Sequence, residues 1–589
     1  MSRIDRWFRN PVVAVTLLFT ACLAVYGNTL NHPFVFDDNL NIVDNAKIRD
    51  ISRFWPPAGN RWLGGLSFAL NYEAGGLDVT GYHLVNIAVH CLNTLLVYAL
   101  VRLVFRTPLF ASWSRNPGNS AAAPALSFFC AAIFAVHPVQ TQAVTYIVQR
   151  FTSLAALFYI LSVVLYMAAR LKMSGEGWKG PAIALYSLGL LSAVLAMKTK
   201  EIAFTLPFAV CLAEFSFFRT EGNSRSAAIK ERFLLIAPFL LTLVIIPSGM
   251  LSFGKQPGAA VMSLSKTLNA SADLSRHDYF LTQSRVVATY LRLLLLPINQ
   301  SFDYLYPVTT SVTEPSFLMT AALHLMLLAG ALCLLTRADA ESPLPGLIGF
   351  GIVWFYLALS VESSVIPISD AIFEHRVYLP AAGLLTSCCA GCLQLLRAVD
   401  RQPGIARGLV IGACCLIPLL GIAAYERNGV WAEELALWQD VVSKNPSHAR
   451  GHNMIGIIHK KRGELDSAIE AFRAAIRVQP DYAEAHVNLG STYIVQGRLD
   501  DAMPELLTAL GFHSMDRIDT AALFINIAYY HILRGAPEKA LSYLMDARQM
   551  TPEDASVYYF LGMAYRAMGD GEQAAKHREK AHQLNPDKY

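Results

Sequence analysis

Residues 11–40 read PVVAVTLLFTACLAVYGNTLNHPFVFDDNL. About twenty apolar residues run without a charge and then meet the adjacent acids Asp37 and Asp38. A run of that length matches the hydrocarbon core of a bilayer. Arg3, Arg6 and Arg9 precede it, which gives it the outline of a secretory leader. It is too long for the apolar centre of one, however, and no small-x-small cleavage site follows. The segment therefore reads as an uncleaved first span whose N-terminus lies in the cytoplasm.

The rest of the chain repeats the pattern. Apolar runs cover 82–105, 125–137, 151–170, 181–197, 202–218, 233–252, 316–336, 345–361, 377–397 and 408–425, which with the first gives about eleven spans. Residues 285–297 are apolar but short, and predict a re-entrant or interfacial helix. Of the 589 residues 54% are hydrophobic and 16% charged, with mean hydropathy +0.38. Soluble domains are nearer 25% charged, so a mostly soluble or disordered chain is excluded. A net charge of +4 without a basic stripe does not support binding of nucleic acid. All ten cysteines lie inside apolar runs, which predicts packing residues rather than a disulfide framework or a metal site.

Basic residues test the layout. Arg102, Arg106, Arg115, Arg170, Lys172, Lys179, Arg219, Arg225, Lys230, Arg232, Arg337, Arg397, Arg401 and Arg407 fall in alternate loops. By the positive-inside rule those loops are cytoplasmic. The first long loop (31–81) and the C-terminal end then share the opposite face.

From about residue 427 the composition turns soluble. Pro446, Pro480, Pro552 and Pro586 are spaced by 34, 72 and 34 residues. A 34-residue period with small residues in register marks tetratricopeptide repeats. The matches include Gly456, Ala468, Phe472 and Ala475, then Gly490, Tyr493, Ala502 and Ala509. The next are Ala528, Ala540 and Ala547, then Gly562, Tyr565, Ala574 and Ala581. A half-repeat around Trp431 and Trp438 is expected to lead into them. Such stacks present surfaces that bind peptides. The predicted organisation is all-α: a polytopic bundle over 1–426, then a repeat solenoid over 427–589.

Polar residues gather on one predicted face of the bundle. Residues 55–77 read as amphipathic, which suits helices lying in the interface. The same face collects Asp37 and Asp38, His137, Arg150, Lys200 with Glu201, Tyr304, and the run Glu374-His375-Arg376-Val377-Tyr378. Charged groups at lipid depth should face the bundle interior or water.

An acidic first external loop with interfacial helices resembles the GT-C glycosyltransferases. More closely, the chain is similar to the family of transmembrane and tetratricopeptide-repeat-containing proteins and its bacterial relatives. The matching segments are Phe36-Asp37-Asp38, Leu66-Ser67-Phe68-Ala69-Leu70-Asn71-Tyr72, Gly81-Tyr82-His83-Leu84-Val85-Asn86 and His137-Pro138-Val139. Lys200-Glu201, Tyr290-Leu291-Arg292 with Pro297, and the run from Glu374 to Pro380 complete the set. The family often reads Arg-Pro-Leu where this chain has Arg61-Trp62-Leu63.

The resemblance implies transfer of a sugar from a polyprenyl-phosphate donor, with inversion, to an acceptor hydroxyl such as Ser or Thr of an exported protein. Asp38, or its neighbour Asp37, is the expected proton acceptor. Arg376 is the expected phosphate ligand, with His375, Lys200, Arg150 and His137 as further candidates. Glu201, Arg61, His83, Tyr378 and Tyr304 are expected to line the substrate site. No metal centre is clear, but Asp37 and Asp38 could hold a divalent ion such as Mg or Mn. The repeats are expected to recruit the acceptor or another protein partner. The expected location is a bacterial inner membrane with periplasmic repeats. The alternatives are a membrane-anchored repeat scaffold for envelope or pilus assembly without catalysis, and a transporter. The latter is disfavoured because the acidic loop lies outside the midplane.

Overall fold

A computed structural model describes residues 10–116, 119, 121–218, 225–250, 274–364, 366–368, 370–399, 401–512, 515–586 and 588–589. Arg3, Arg6, Arg9 and Arg219, used above to orient the chain, lie outside them. The described residues form helices and loops only, and divide into two units at Glu433/Glu434, a few residues beyond the expected change at 426/427.

In the first unit the main helices are α1 (Pro11–Tyr26), α2 (Trp62–Gly75), α3 (Val79–Val104), α4 (Ala122–Val136), α5 (Arg150–Glu176), α6 (Gly180–Met197) and α7 (Leu206–Phe217). They continue with α8 (Arg225–Leu241), α9 (Arg276–Leu295), α10 (Pro315–Arg337), α11 (Leu344–Leu359), α12 (Tyr378–Ala398) and α13 (Pro403–Gly429). Among the described residues eight helices are long and apolar enough to cross a membrane, or nine counting one bent pair. Two of the eleven expected spans are shorter helices: α11 has 16 residues and α7 has 12. The short apolar segment at 285–297 is the second half of the 20-residue helix α9, which begins at Arg276 behind a Ser275 cap. Its first turns carry Arg276, His277 and Asp278, so the apolar run alone understates its length.

Lipid-like surroundings explain the outer surface. Leu325 on α10 and Leu419 on α13 are 70% and 63% exposed, which water would penalise. Inside, small residues set the spacing, as is usual where helices associate in lipid. A Cβ on Gly351 of α11 would lie 2.2 Å from the Gly383 carbonyl oxygen of α12. Across the α5–α6 contact, the hydroxyls of Ser162 and Ser192 donate to the Gly189 and Phe158 carbonyls, each at 2.8 Å.

Pro138 breaks α4. It lacks an N–H, and the chain bends by 51° into the turns at 138–144. Nδ1 of His137 accepts from the Val139 N–H at 3.2 Å and caps the new turn.

In the second unit, an eleven-residue helix (Glu434–Lys444) with Trp438 buried precedes four helix pairs. These are 449–461/465–478, 483–495/499–511, 517–533/537–550 and 555–567/571–584. Each pair turns through a left-handed glycine, Gly463, Gly497, Gly535 or Gly569, with φ between 70° and 83°. A Cβ on Gly456 would meet the Phe472 ring at 2.5 Å, so the small residue is what lets the first pair close.

Candidate functional site

The first loop turns sharply at Phe36, a non-glycine residue at φ 47°. Such backbone is sparsely populated and persists only where the surroundings fix it. Here they do. The Asp38 N–H donates to the Val35 carbonyl at 2.9 Å, closing a tight turn. The Phe36 ring meets Phe302 edge-on at 5.6 Å, and Phe302 packs with Tyr146 and Trp431.

The two acids then have different surroundings. Asp38 is fully buried. One of its oxygens accepts from the Val35 N–H at 3.0 Å and the other from the Val148 N–H at 2.7 Å. Burial pushes its carboxyl up to about 8, against the pull of those two N–H groups. Asp38 therefore pins the loop to the start of α5. Asp37 is half-buried. Its N–H donates to the Tyr146 hydroxyl at 2.9 Å, and its carbonyl accepts from Asn41 at 2.9 Å. Asp37 is thus the more accessible of the two residues, and Asp38 is the more enclosed.

A charged chain lies at the same end of the bundle. The Arg61 guanidinium reaches Glu201 at 3.2 Å. Burial raises the Glu201 carboxyl, but Arg61, a main-chain N–H and Lys200 together outweigh it and hold the group below the usual range. Next to Glu201, Lys200 extends Nζ to Glu362 at 2.8 Å and to the Thr152 hydroxyl at 2.9 Å. Burial pulls this ammonium down, and Glu362 opposes the fall. The Glu362 carbonyl accepts from the Tyr279 hydroxyl at 2.8 Å. Arg376 follows, buried in the turn before α12. It donates to the carbonyls of Ala371 and Asp370 at 3.0 and 2.8 Å. Glu362, Tyr279 and Tyr290 lie close enough to act on its charge. His375 is joined to Gln142, whose Oε1 accepts from the His375 N–H at 2.8 Å. Gln142 in turn donates to the Phe302 carbonyl at 3.1 Å. A continuous set of contacts thus leads from the Phe36–Asp37 turn through Phe302 and Gln142 to His375 and Arg376.

Other expected site residues have different partners. The Arg150 guanidinium is fully buried and spends its donors on Asn86 at 2.7 Å, Asn71 at 2.5 Å, and the carbonyls of Ser67 and Tyr82 at 3.2 and 2.9 Å. It also lies over the Phe68 ring at 4.6 Å. It joins α2, α3 and α5. His137 spends one nitrogen on Val139 and the other on the Leu294 carbonyl at 3.1 Å. His83 bonds the His32 carbonyl at 3.0 Å. Tyr378 lies in the bundle interior against His90 at 2.8 Å, which itself bonds the Ala135 carbonyl at 3.0 Å. Tyr304 donates to Glu374 at 2.5 Å, and Gln300 and the Ser301 N–H bond the same carboxylate.

Sequence reasoning missed Glu362, Thr152, Gln142 and Tyr146. Glu362 had a signal: it is a lone acid at the end of an apolar run, where an uncompensated charge is costly. The other three are neutral and carried none. Among the described residues no group of three or more His, Cys, Asp or Glu side chains is arranged to hold a metal.

These features define a multi-pass membrane protein that carries a polar centre at one end of its bundle and a tetratricopeptide solenoid after it. Tetratricopeptide repeat models match residues 453–514 and 555–588. Over 80% of its length the chain resembles the protein O-mannosyl-transferases of the transmembrane and tetratricopeptide-repeat-containing type. It is 25% identical over 495 residues to protein O-mannosyl-transferase F38B6.6 of Caenorhabditis elegans, covering 80% of this chain and 63% of that one. It is 27% identical over 516 residues to protein O-mannosyl-transferase TMTC1 of Homo sapiens, covering 80% and 55%. The chain thus spans between half and two thirds of the length of these relatives. Among solved structures, the tetratricopeptide protein TTC0263 of Thermus thermophilus matches 29% of this chain and 89% of its own, at 19% identity and TM-score 0.24.

Proposed function

We propose that the chain is an inverting GT-C-type glycosyltransferase that moves mannose from a polyprenyl-phosphate carrier to a Ser or Thr hydroxyl of a protein. One observation carries this reading. A half-buried carboxylate (Asp37) and a set of cations (Lys200, Arg376 and, at the rim, Arg61) come from distant parts of the chain to one end of a membrane bundle. The similarity to protein O-mannosyl-transferases supplies the sugar and the acceptor class.

The chemistry follows from the groups. A serine hydroxyl is a weak nucleophile, and Asp37 takes its proton as the new bond forms. The departing lipid phosphate is a weak base and needs no proton. It needs charge and donors as its own charge grows. Arg376 has five N–H donors, of which two go to main-chain carbonyls, and Lys200 adds a second cation. Glu362 pairs with Lys200 and acts on the charge of Arg376, and Glu201 pairs with Arg61. We assign no step to a divalent ion, because both Asp38 oxygens are already bonded to main-chain N–H groups. We place the site on the non-cytoplasmic face of a bacterial inner membrane, with the repeats recruiting the acceptor.

The test is transfer of labelled mannose from a synthetic polyprenyl-phosphate donor to a Ser/Thr-containing peptide, using the full chain in nanodiscs. Transfer that survives EDTA and is lost in Asp37→Asn supports the proposal. Normal protein mannosylation in cells carrying Asp37→Asn together with Arg376→Ala overturns it.

A further inference from the structure

The last two repeats line an open hollow within the solenoid unit. It has a volume of about 510 Å³ and lies between the helices 537–550, 555–567 and 571–584. That size falls within the range of ligand pockets. Its floor is aromatic. The His577 ring stacks on Tyr565 at 5.4 Å with an interplanar angle of 4°, and on Tyr558 at 6.1 Å. Met545 adds a soft apolar wall. Its rim is basic. Arg548, Lys576 and Lys580 line it against a single acid, Glu579. Two of these cations act on His577: burial holds its imidazole below the usual range, and Arg548 and Lys576 add to the effect.

We propose that this hollow docks an acidic peptide segment of a partner protein. The geometry favours a peptide over a lipid surface. Membrane-binding faces project apolar and basic side chains outward, whereas here the apolar groups form the floor and the cations the rim. An Asp or Glu side chain can pair with Lys576, Lys580 or Arg548 while a neighbouring apolar side chain covers Tyr558 and Tyr565. The Gln573 amide, which also lines the hollow, offers the donor and acceptor that a peptide main chain requires. The inference concerns the repeat unit and does not depend on the reaction proposed for the membrane unit.

The experiment uses the full chain in phosphatidylcholine nanodiscs and a fluorescein-labelled peptide of alternating glutamate and leucine, with a lysine–leucine peptide as control. Saturable, salt-sensitive binding of the acidic peptide alone is expected. Lys576→Glu with Lys580→Glu should weaken it by about ten-fold or more. Both residues are exposed, so the variant should keep the wild-type circular dichroism and melting temperature. Lys576→Gln with Lys580→Gln should give an intermediate loss. Equal binding of the two peptides, no change in the charge-reversed chain, or a charge-dependent response only to phosphatidylserine vesicles would each overturn the proposal.

Discussion

Arg150 and Arg376 are both buried arginines at the same end of the bundle, and they are built for different work. Arg150 bonds two asparagine side chains and two carbonyls, and lies over an aromatic ring. Its partners are neutral, and they take four of its five N–H groups. Arg376 bonds two carbonyls and lies over the Phe373 ring, with Glu362, Tyr279 and Tyr290 acting on its charge. An arginine held by neutral groups of two neighbouring helices is a bolt between them. An arginine in a turn among charged groups is the proposed place for an anion to arrive. The acids differ in burial: Asp38 is enclosed and accepts from two N–H groups, and Asp37 sits half-buried next to the strained Phe36.

That contrast can be broken by substitution. The largest effect on transfer is expected from Asp37→Asn, a loss of roughly 10²–10⁴-fold, the usual range for a general base, with unchanged accumulation in the membrane. Arg376→Met should also abolish measurable transfer and lower the melting temperature less than Arg150→Met, because it leaves two carbonyls unpaired rather than two amides and two carbonyls. Arg150→Met should do the reverse and lower the melting temperature by several degrees, because it leaves buried amide and carbonyl groups unpaired. Differential scanning fluorimetry of the two variants checks this directly, and equal melting temperatures would erase the distinction.

Asp38 should show itself in pH dependence. Its carboxyl is raised from the ordinary aspartate range to about 8 in the folded chain. A raised acid favours the fold at low pH and loses that contribution as pH climbs through its folded value. The wild-type melting temperature should therefore decline between about pH 4 and pH 8, and the decline should be shallower in Asp38→Asn. The smallest effect belongs to Arg61→Ala. Its side chain is 55% exposed, and exposed ion pairs contribute about 0–1 kcal/mol. Stability should hardly move, and any change should fall on the apparent KM.

Much of the fold was legible because hydrophobic run length and a 34-residue period are strong, local signals. The four helix pairs fall where the spaced prolines and alanines placed them. The spans were less secure. Residues 202–218 give only a 3-10 turn (Glu201–Thr205) and the short α7, because the apolar run does not reveal where the helix begins. α9 was underestimated for the opposite reason, since its first turns are charged. Within the site, residue type was legible and role was not. Sequence places Asp37, Asp38, Arg150 and Arg376 in one region, but it cannot say which donors and acceptors are already occupied. That depends on contacts across 64 to 110 residues of chain, such as Arg150 with Asn86 and Val148 with Asp38.

The most direct measurement is single-turnover transfer from a polyprenyl-phosphate mannose donor by purified full-length chain, comparing wild type, Asp37→Asn and Arg376→Met at matched folded concentration. The account predicts product with the wild-type chain and none above background with either variant, both of which remain folded at the assay temperature. Wild-type rates from both folded variants would contradict it.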